Sequence, residues 1–441
     1  MLQHERRKLT SWSSWSLNND DNAFSDMGCV KLGMLDSDSG GESSPDSDKK
    51  HLTPNSTEPS TSRRAPGAPR VLLPSQKENI LNSSADNIDP GQPDSSPILR
   101  KRGQGHSQVP DDLKCNHFLE LSDEIILLIL RWLPKFVLAK CARVCHRWHR
   151  LVNDESLWRR LDLANKTLSQ GALGNIIKKG VQVLRLAKAE VRKCRCIACL
   201  MLCLSKLQYL DLSMSPATAD VLAEIFAVCQ DLKKLSLEHC HMSETCCQHI
   251  SENKNLNVLN MSMCQGLTTS GIMSVVSGCT KLEGLNLAWT GLHRHTVVYL
   301  ALCLTPNLKR LNISGCRENI TDEEVLQLCR SCSNLRELDL SDSTVLTHAA
   351  LTHIEENLFD LEYLALSRCY RIPPRALPDL KKLPTLFALD VFGLLQEEPF
   401  QTLKEALKPI KINQFPFSSI ARPTTGIRRS SLWGLKVRDN V

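Results

Sequence analysis

Four cysteines, Cys194, Cys196, Cys199 and Cys203, put sulfur ligands at spacings a zinc ion could use. No second ligand pair follows at ribbon spacing, and the repeat period described below runs on past the group, so free thiols are the favoured reading. Nor is any general base placed beside them, and the sequence calls for no cofactor. A second constellation points to recognition instead. Trp289, Asp342 and Arg368 each stand seven residues after the first apolar residue of a repeat, with Arg317 and Tyr370 just beyond their strands. Neighbouring strands lie about 5 Å apart, so these five side chains form one patch. Trp, Tyr and Arg are the side chains that most often anchor interfaces.

The elements that must position this patch are written ten times. An apolar residue, two variable residues, a second apolar residue, one variable residue and a third apolar residue recur between Trp158 and Val391. The triplets run from Trp158/Leu161/Leu163 to Leu386/Leu389/Val391, and their starts are 23, 26, 25, 24, 26, 26, 27, 26 and 25 residues apart. That period predicts a leucine-rich-repeat solenoid of class α/β, a horseshoe with one strand at each triplet and a helix before the next. Thr218 to Cys229 carries the apolar stripe of such a helix, and Thr321 with Glu324 predicts a capping box opening another. After Cys369 the prolines Pro373, Pro374, Pro378 and Pro384 leave little room for a regular helix, so the array is expected to end near residue 400. A short helix and a tail without repeats follow to residue 441.

Seven of the 19 cysteines fall into two columns of this period. Cys240, Cys264, Cys316 and Cys369 sit eight residues after a repeat's first leucine, where the turn needs a small buried side chain. Cys229, Cys279 and Cys332 precede a first leucine by three. These are expected to be structural thiols of a reducing compartment. A net charge of +6, from 54 basic and 48 acidic residues, argues against dedicated nucleic-acid binding. The run Ile125 to Leu130 is far too short to span a bilayer, and MLQHERRKLT lacks the apolar core of a signal peptide. The expected location is nucleus and cytoplasm.

Residues 1–110 are rich in Ser, Asp, Pro and Asn and are read as a disordered regulatory region. Ser44, Thr53 and Ser96 precede prolines and are phosphorylation candidates, Lys77-Glu78-Asn79 is a candidate degron, and Arg100-Lys101-Arg102 is a weak nuclear signal. Residues 118–163 change in texture. LSDEIILLILRWL predicts a helix that Ser122 can cap, with Asp123 and Glu124 suiting its positive end. Its apolar residues lie on every face, so it must be covered from two directions: by the solenoid and by a second protein.

Leu121, Glu124, Ile125, Ile129, Leu133, Val144, Cys145, Trp148, Leu157 and Trp158 match the typed positions of the F-box, although Ser122 stands where most F-boxes have proline. With NDESLWRRLDL, LDLSDS, LSRCY, IARPT and Trp433-Gly434, residues 118–441 resemble the S-phase kinase-associated F-box family. That resemblance implies a non-catalytic substrate receptor. Leu121, Glu124, Ile125, Ile129, Leu133, Val144, Cys145 and Trp148 would grip a Skp adaptor, which leads to cullin and a RING protein. Trp289, Arg317, Asp342, Arg368 and Tyr370 would hold a Cks adaptor and a phosphorylated Kip-type inhibitor at the G1/S transition, and residues 401–441 would run back along the concave face. Cys316 and Thr290 depart from the family's pattern. The alternative is a solenoid that holds or inhibits a partner, its F-box merely structural.

Overall fold

The computed structural model describes residues 29–31, 117–192, 205–424 and 431–437. The chain divides into two compact units, and all described residues belong to the one formed by residues 1–34 and 117–441. Cys194, Cys196, Cys199, Cys203, Ser44, Thr53, Ser96, Lys77-Glu78-Asn79 and Arg100-Lys101-Arg102 lie outside the described residues. Among those described, no helix is long and apolar enough to cross a membrane. The N-terminal region contributes the short strand β1 (Cys29–Lys31), which pairs antiparallel with β3 (Lys166–Leu168) of the first repeat.

Four short helices come first: α1 (His117–Glu120), α2 (Asp123–Leu130), α3 (Lys135–Cys141) and α4 (His146–Val152). Ser122 occupies the N-cap of α2, but its side chain makes no capping bond, contrary to expectation. The start of the helix is tied down from α4 instead. The Arg147 and Arg150 guanidinium groups donate to Asp123 at 2.8 and 2.6 Å, and Arg147 also donates to the Leu121 carbonyl at 2.5 Å. Ile126, Leu130 and Leu138 face inward and are buried. Trp158 joins this unit to the solenoid: its ring is buried, Nε1 donates to the Val152 carbonyl at 2.6 Å, and the Lys179 ammonium lies 4.2 Å from the ring centroid.

The solenoid is one parallel sheet of eleven strands, stacked in chain order from Arg160–Asp162 in the first repeat to Lys411–Ile412 at the far end. The middle apolar residues of the ten triplets, Leu161 through Leu389, pair in a single register that ends on Ile412 of β14 (Lys411–Ile412). Period-2 alternation then sends the first and third residues of each strand to the opposite face. The array therefore runs one unit further than the ten triplets indicate, because a helix at Glu397–Ala406 and β14 stack on it without a full triplet. The proline-rich repeat has a 3-10 helix at Pro374–Lys382 in place of a regular α-helix, with Pro374 and Pro378 inside it and Pro373 and Pro384 flanking it. A helix at Ala219–Val228 buries the predicted stripe, and Thr321 with Glu324 forms the capping box.

Both cysteine columns are buried. The thiols of Cys240, Cys264 and Cys369 donate to the carbonyls of Leu212, Leu237 and Leu340, each the third triplet residue of the preceding repeat, at 3.2, 3.0 and 3.3 Å. Cys316 turns to the Ile313 carbonyl of its own repeat. Cys240, Cys264 and Cys369 thus tie one coil to the next.

Candidate functional site

Two surfaces lie far apart along the solenoid. On α2 and two residues past its end, Ile125, Leu128, Ile129 and Trp132 are 46, 54, 41 and 86% exposed. Their i, i+3, i+4, i+7 spacing puts them on one face of the helix. Val144 and Cys145 are also exposed, and the Cys145 sulfur accepts the Trp148 N–H at 3.5 Å. Glu124 is exposed, its carboxyl held below the usual range by its own backbone N–H and by the Ser122 hydroxyl. Leu121, Leu133 and Trp148 are only half-buried; the leucines pack on the core, and Trp148 meets the Phe118 ring edge-on at 5.3 Å. The outward apolar stripe thus includes Leu128 and Trp132, which motif matching passed over although their spacing marks them.

The second surface starts from backbone geometry. The residue seven after each first apolar residue is left-handed in all ten repeats, from Asn165 through Met214, His239, Met263, Trp289, Gly315, Asp342 and Arg368 to Gly393, with φ between 57° and 84°. For a residue with a Cβ this costs about 1–2 kcal/mol. Two ladders offset it. In six repeats the Asp or Asn side chain four after the first apolar residue accepts the N–H two residues on, an Asx turn: Asp162, Asp211, Asn260, Asn286, Asn312 and Asp339, at 2.9–3.1 Å. Each column residue from Asn165 to Arg368 then donates its N–H to a carbonyl of the next repeat; for Trp289, Asp342 and Arg368 these are Ser314, Ser367 and Phe392. The column is rigid where the patch sits.

The patch itself is brought together in two pairs. Arg368 clamps both carboxylate oxygens of Asp342 at 2.5 Å, and this contact holds the guanidinium pKa above its usual value. The Arg317 guanidinium lies 5.9 Å from the centroid of the Trp289 ring. Trp289, Asp342 and Arg368 line one groove of about 380 Å³, whereas Arg317 and Tyr370 stand outside its lining, Tyr370 being 63% exposed. On the groove floor Asp339 and Asp390 are pushed up by burial, and Asp390 accepts the Tyr363 hydroxyl at 2.8 Å. This polar column was missed at the sequence level, though an Asp, Asn or Ser between the second and third apolar residues of most repeats marks it.

Gly315 shows why the column varies. A Cβ there would come 2.9 Å from Cδ2 of Trp289, so the indole is seated against the bare backbone of the next repeat. Gly315→Ala is expected to dislodge that ring and, with the left-handed φ, to cost about 1–2 kcal/mol in urea unfolding. An unchanged unfolding midpoint would contradict this seating.

The tail crosses the strand face from the last repeat to the first. Phe415 meets Tyr363 edge-on at 6.1 Å, the Ile420 carbonyl accepts Asn286 Nδ2 at 2.9 Å, and Arg422 reaches Glu238 at 3.5 Å. Further on, Leu432 and Val437 pack on Val183, and the Lys436 carbonyl accepts Arg160 at 3.2 Å.

Comparison with known proteins bears on both surfaces. Residues 120–164 match the F-box-like family, and residues 171–440 match the family described as the SKP2 LRR domain, more than half of the chain. Human F-box/LRR-repeat protein 12 is 27% identical over 247 residues, which cover 51% of this chain and 71% of that protein. Bovine F-box/LRR-repeat protein 4 is 33% identical over 120 residues, 26% of this chain and 19% of that protein. Among solved structures, the leucine-rich-repeat protein LegL7 of Legionella pneumophila aligns with a TM-score of 0.36 and 16% identity over 54% of this chain and 85% of its own. An outward apolar stripe on an F-box, a rigid register of repeats and a matching repeat family converge: the chain belongs to the F-box proteins whose leucine-rich repeats are of the SKP2 type.

Proposed function

We propose that this protein is the substrate receptor of a cullin-RING ubiquitin ligase, with no catalytic group of its own. The stripe Ile125, Leu128, Ile129 and Trp132 takes the Skp adaptor, and through it cullin and the RING protein. The groove bearing Trp289, Asp342 and Arg368, with Arg317 and Tyr370 beside it, takes a Cks adaptor and a phosphorylated Kip-type inhibitor, which would place the protein at the G1/S transition in nucleus and cytoplasm. The observation that carries this reading is the pairing of an uncovered apolar helix face at one end with an aromatic and arginine-bearing groove on a stiff sheet. A rigid spacer raises the local concentration of substrate near the charged enzyme, so proximity does the work.

Pull-downs of the full chain with phosphorylated and unphosphorylated Kip-type peptides, each with and without Cks, test the reading. Capture only when phosphate and Cks are both present supports it, as linked sites require; capture independent of either removes it. Arg368→Ala is expected to weaken Cks binding about tenfold, in line with a lost interface arginine contact of about 1.4 kcal/mol, and to leave Skp binding intact. The swap Asp342→Arg with Arg368→Asp rebuilds an ion pair in reversed order. If the pair serves only the fold, the swap restores Cks binding; if it serves recognition, it does not.

A further inference from the structure

The first repeat begins the stack, so no earlier repeat covers its outer flank. Beside the main sheet it carries a second strand, β3, which pairs in parallel with Glu190–Val191 of the next repeat through Thr167↔Glu190 and Leu168↔Val191. The other edge of β3 is a row of backbone N–H and C=O groups that only another strand can pair regularly. Residues from beyond the F-box fill it. Cys29–Lys31 adds antiparallel to that edge, with Cys29↔Leu168, Val30↔Thr167 and Lys31↔Lys166 as register partners. Residues 32–116 therefore form a loop closed at one end by β1 and at the other by α1.

Two features set β1 apart from the strands of the solenoid. It stands outside the eleven-stranded parallel sheet, paired with β3 alone among the described strands. It is also only three residues long, against a usual length of about five or six, and the sequence GCVKLG places a glycine on either side of it. A short edge pairing of this kind opens locally without unfolding the core beneath it. Main-chain pairing at a sheet edge is likewise a mode by which one extended segment is exchanged for another. We propose that the outer edge of β3 is a strand-addition site, which Cys29–Lys31 fills in cis as a releasable strap fastening the N-terminal region to the first repeat. Docked, the strap covers an edge that would otherwise pair between molecules. The phosphorylation candidates Ser44, Thr53 and Ser96 and the triplet Lys77-Glu78-Asn79 lie in the loop it closes, so its release unfastens one end of the segment that carries them. The strap does not depend on the receptor reading.

Val30→Cys with Thr167→Cys in the full chain tests the pairing. Directly opposed Cα atoms of an antiparallel pair are about 4.5–5.5 Å apart, inside the range a disulfide spans. Mild oxidation followed by peptide mapping is expected to recover this crosslink within one chain. It should form at least tenfold faster than that of the out-of-register control, Val30→Cys with Asn175→Cys, whose second site is exposed on the helix Ala172–Lys178 of the same repeat. Crosslinks between two chains, or equal rates for the two pairs, would rule out a strap in cis. Native-state hydrogen exchange on the unmodified chain tests release. Amides of Cys29–Lys31 and Lys166–Leu168 are expected to lose protection together at urea concentrations that leave the strand Gly284–Asn286 protected. Val30→Pro removes a backbone donor and restricts φ, and should speed exchange at Lys166–Leu168 at least tenfold while leaving Gly284–Asn286 unchanged. Unprotected exchange of Cys29–Lys31 without urea, or opening only together with the whole solenoid, would overturn the proposal.

Discussion

Ile125→Asp in the full chain is expected to abolish co-purification of the Skp adaptor while leaving the chain folded. Ile125 is 46% exposed in the free protein, so a carboxylate there stays hydrated and costs the fold little. Seating a partner on the stripe would bury that charge in an apolar seam without a counter-ion, a penalty of several kcal/mol. About 3 kcal/mol already weakens binding about a hundredfold. The neighbouring position supplies the contrast. Ile126 is fully buried, so Ile126→Asp should unfold the F-box itself and lose the adaptor for a different reason. Circular dichroism separates the two: unchanged helicity with lost adaptor for Ile125→Asp, lost helicity for Ile126→Asp. Recovery of adaptor at wild-type levels with Ile125→Asp would sink the docking surface, and with it the receptor reading.

Those adjacent isoleucines also show where sequence reasoning succeeds and where it stops. Apolar residues on every face of α2 announce two coverings, because composition counts faces. Which residue serves which covering follows from helix phase, and the phase is set by the Arg147 and Arg150 clamp on Asp123, a contact across 24 and 27 residues. No local pattern encodes it. The solenoid was open to reading because each repeat meets the same environment, so one period reports strand, register and cysteine columns together. The seventh-position column was legible by counting, yet its left-handed backbone was not, since Lys188, Met214, Met263, Trp289 and Arg368 are not residues that advertise positive φ. Asn165, Gly315 and Gly393 do so, and His239 and Asp342 more weakly. Likewise the eleventh strand escaped notice because Lys411–Ile412 has lost the leucines of the triplet and is held by pairing to β13 (Ala388–Asp390).

The buried cysteines, those of the two columns together with Cys247 and Cys329, make the second large expectation: the solenoid should unfold sharply between pH 9 and pH 10.5, far below the titration of arginine. Burial pushes the Cys229 thiol up to about 11 and those of Cys240, Cys247, Cys279, Cys316, Cys329, Cys332 and Cys369 up to about 12, from an ordinary 9.0. Cys264 moves in the same direction. The folded state thus keeps protons that the unfolded chain gives up. Stability is fully present below the unfolded pKa and falls as pH rises through 9 towards the folded values. Each thiol contributes a slope of about 1.4 kcal/mol per pH unit in that window. Eight of them acting together remove on the order of 10 kcal/mol by pH 10, comparable to the whole stability of a typical domain. Burial raises the Tyr363 hydroxyl as well, which steepens the loss above pH 10. Urea midpoints measured in reductant from pH 7 to 10.5 should be flat to about pH 8.5 and then collapse. Cys264→Ala and Cys369→Ala, although they lower stability at pH 7 by opening small cavities, should each flatten the alkaline slope by about one proton. A midpoint that changes little between pH 8.5 and 10 would mean that the thiols are hydrated, and that the coils are not joined through them.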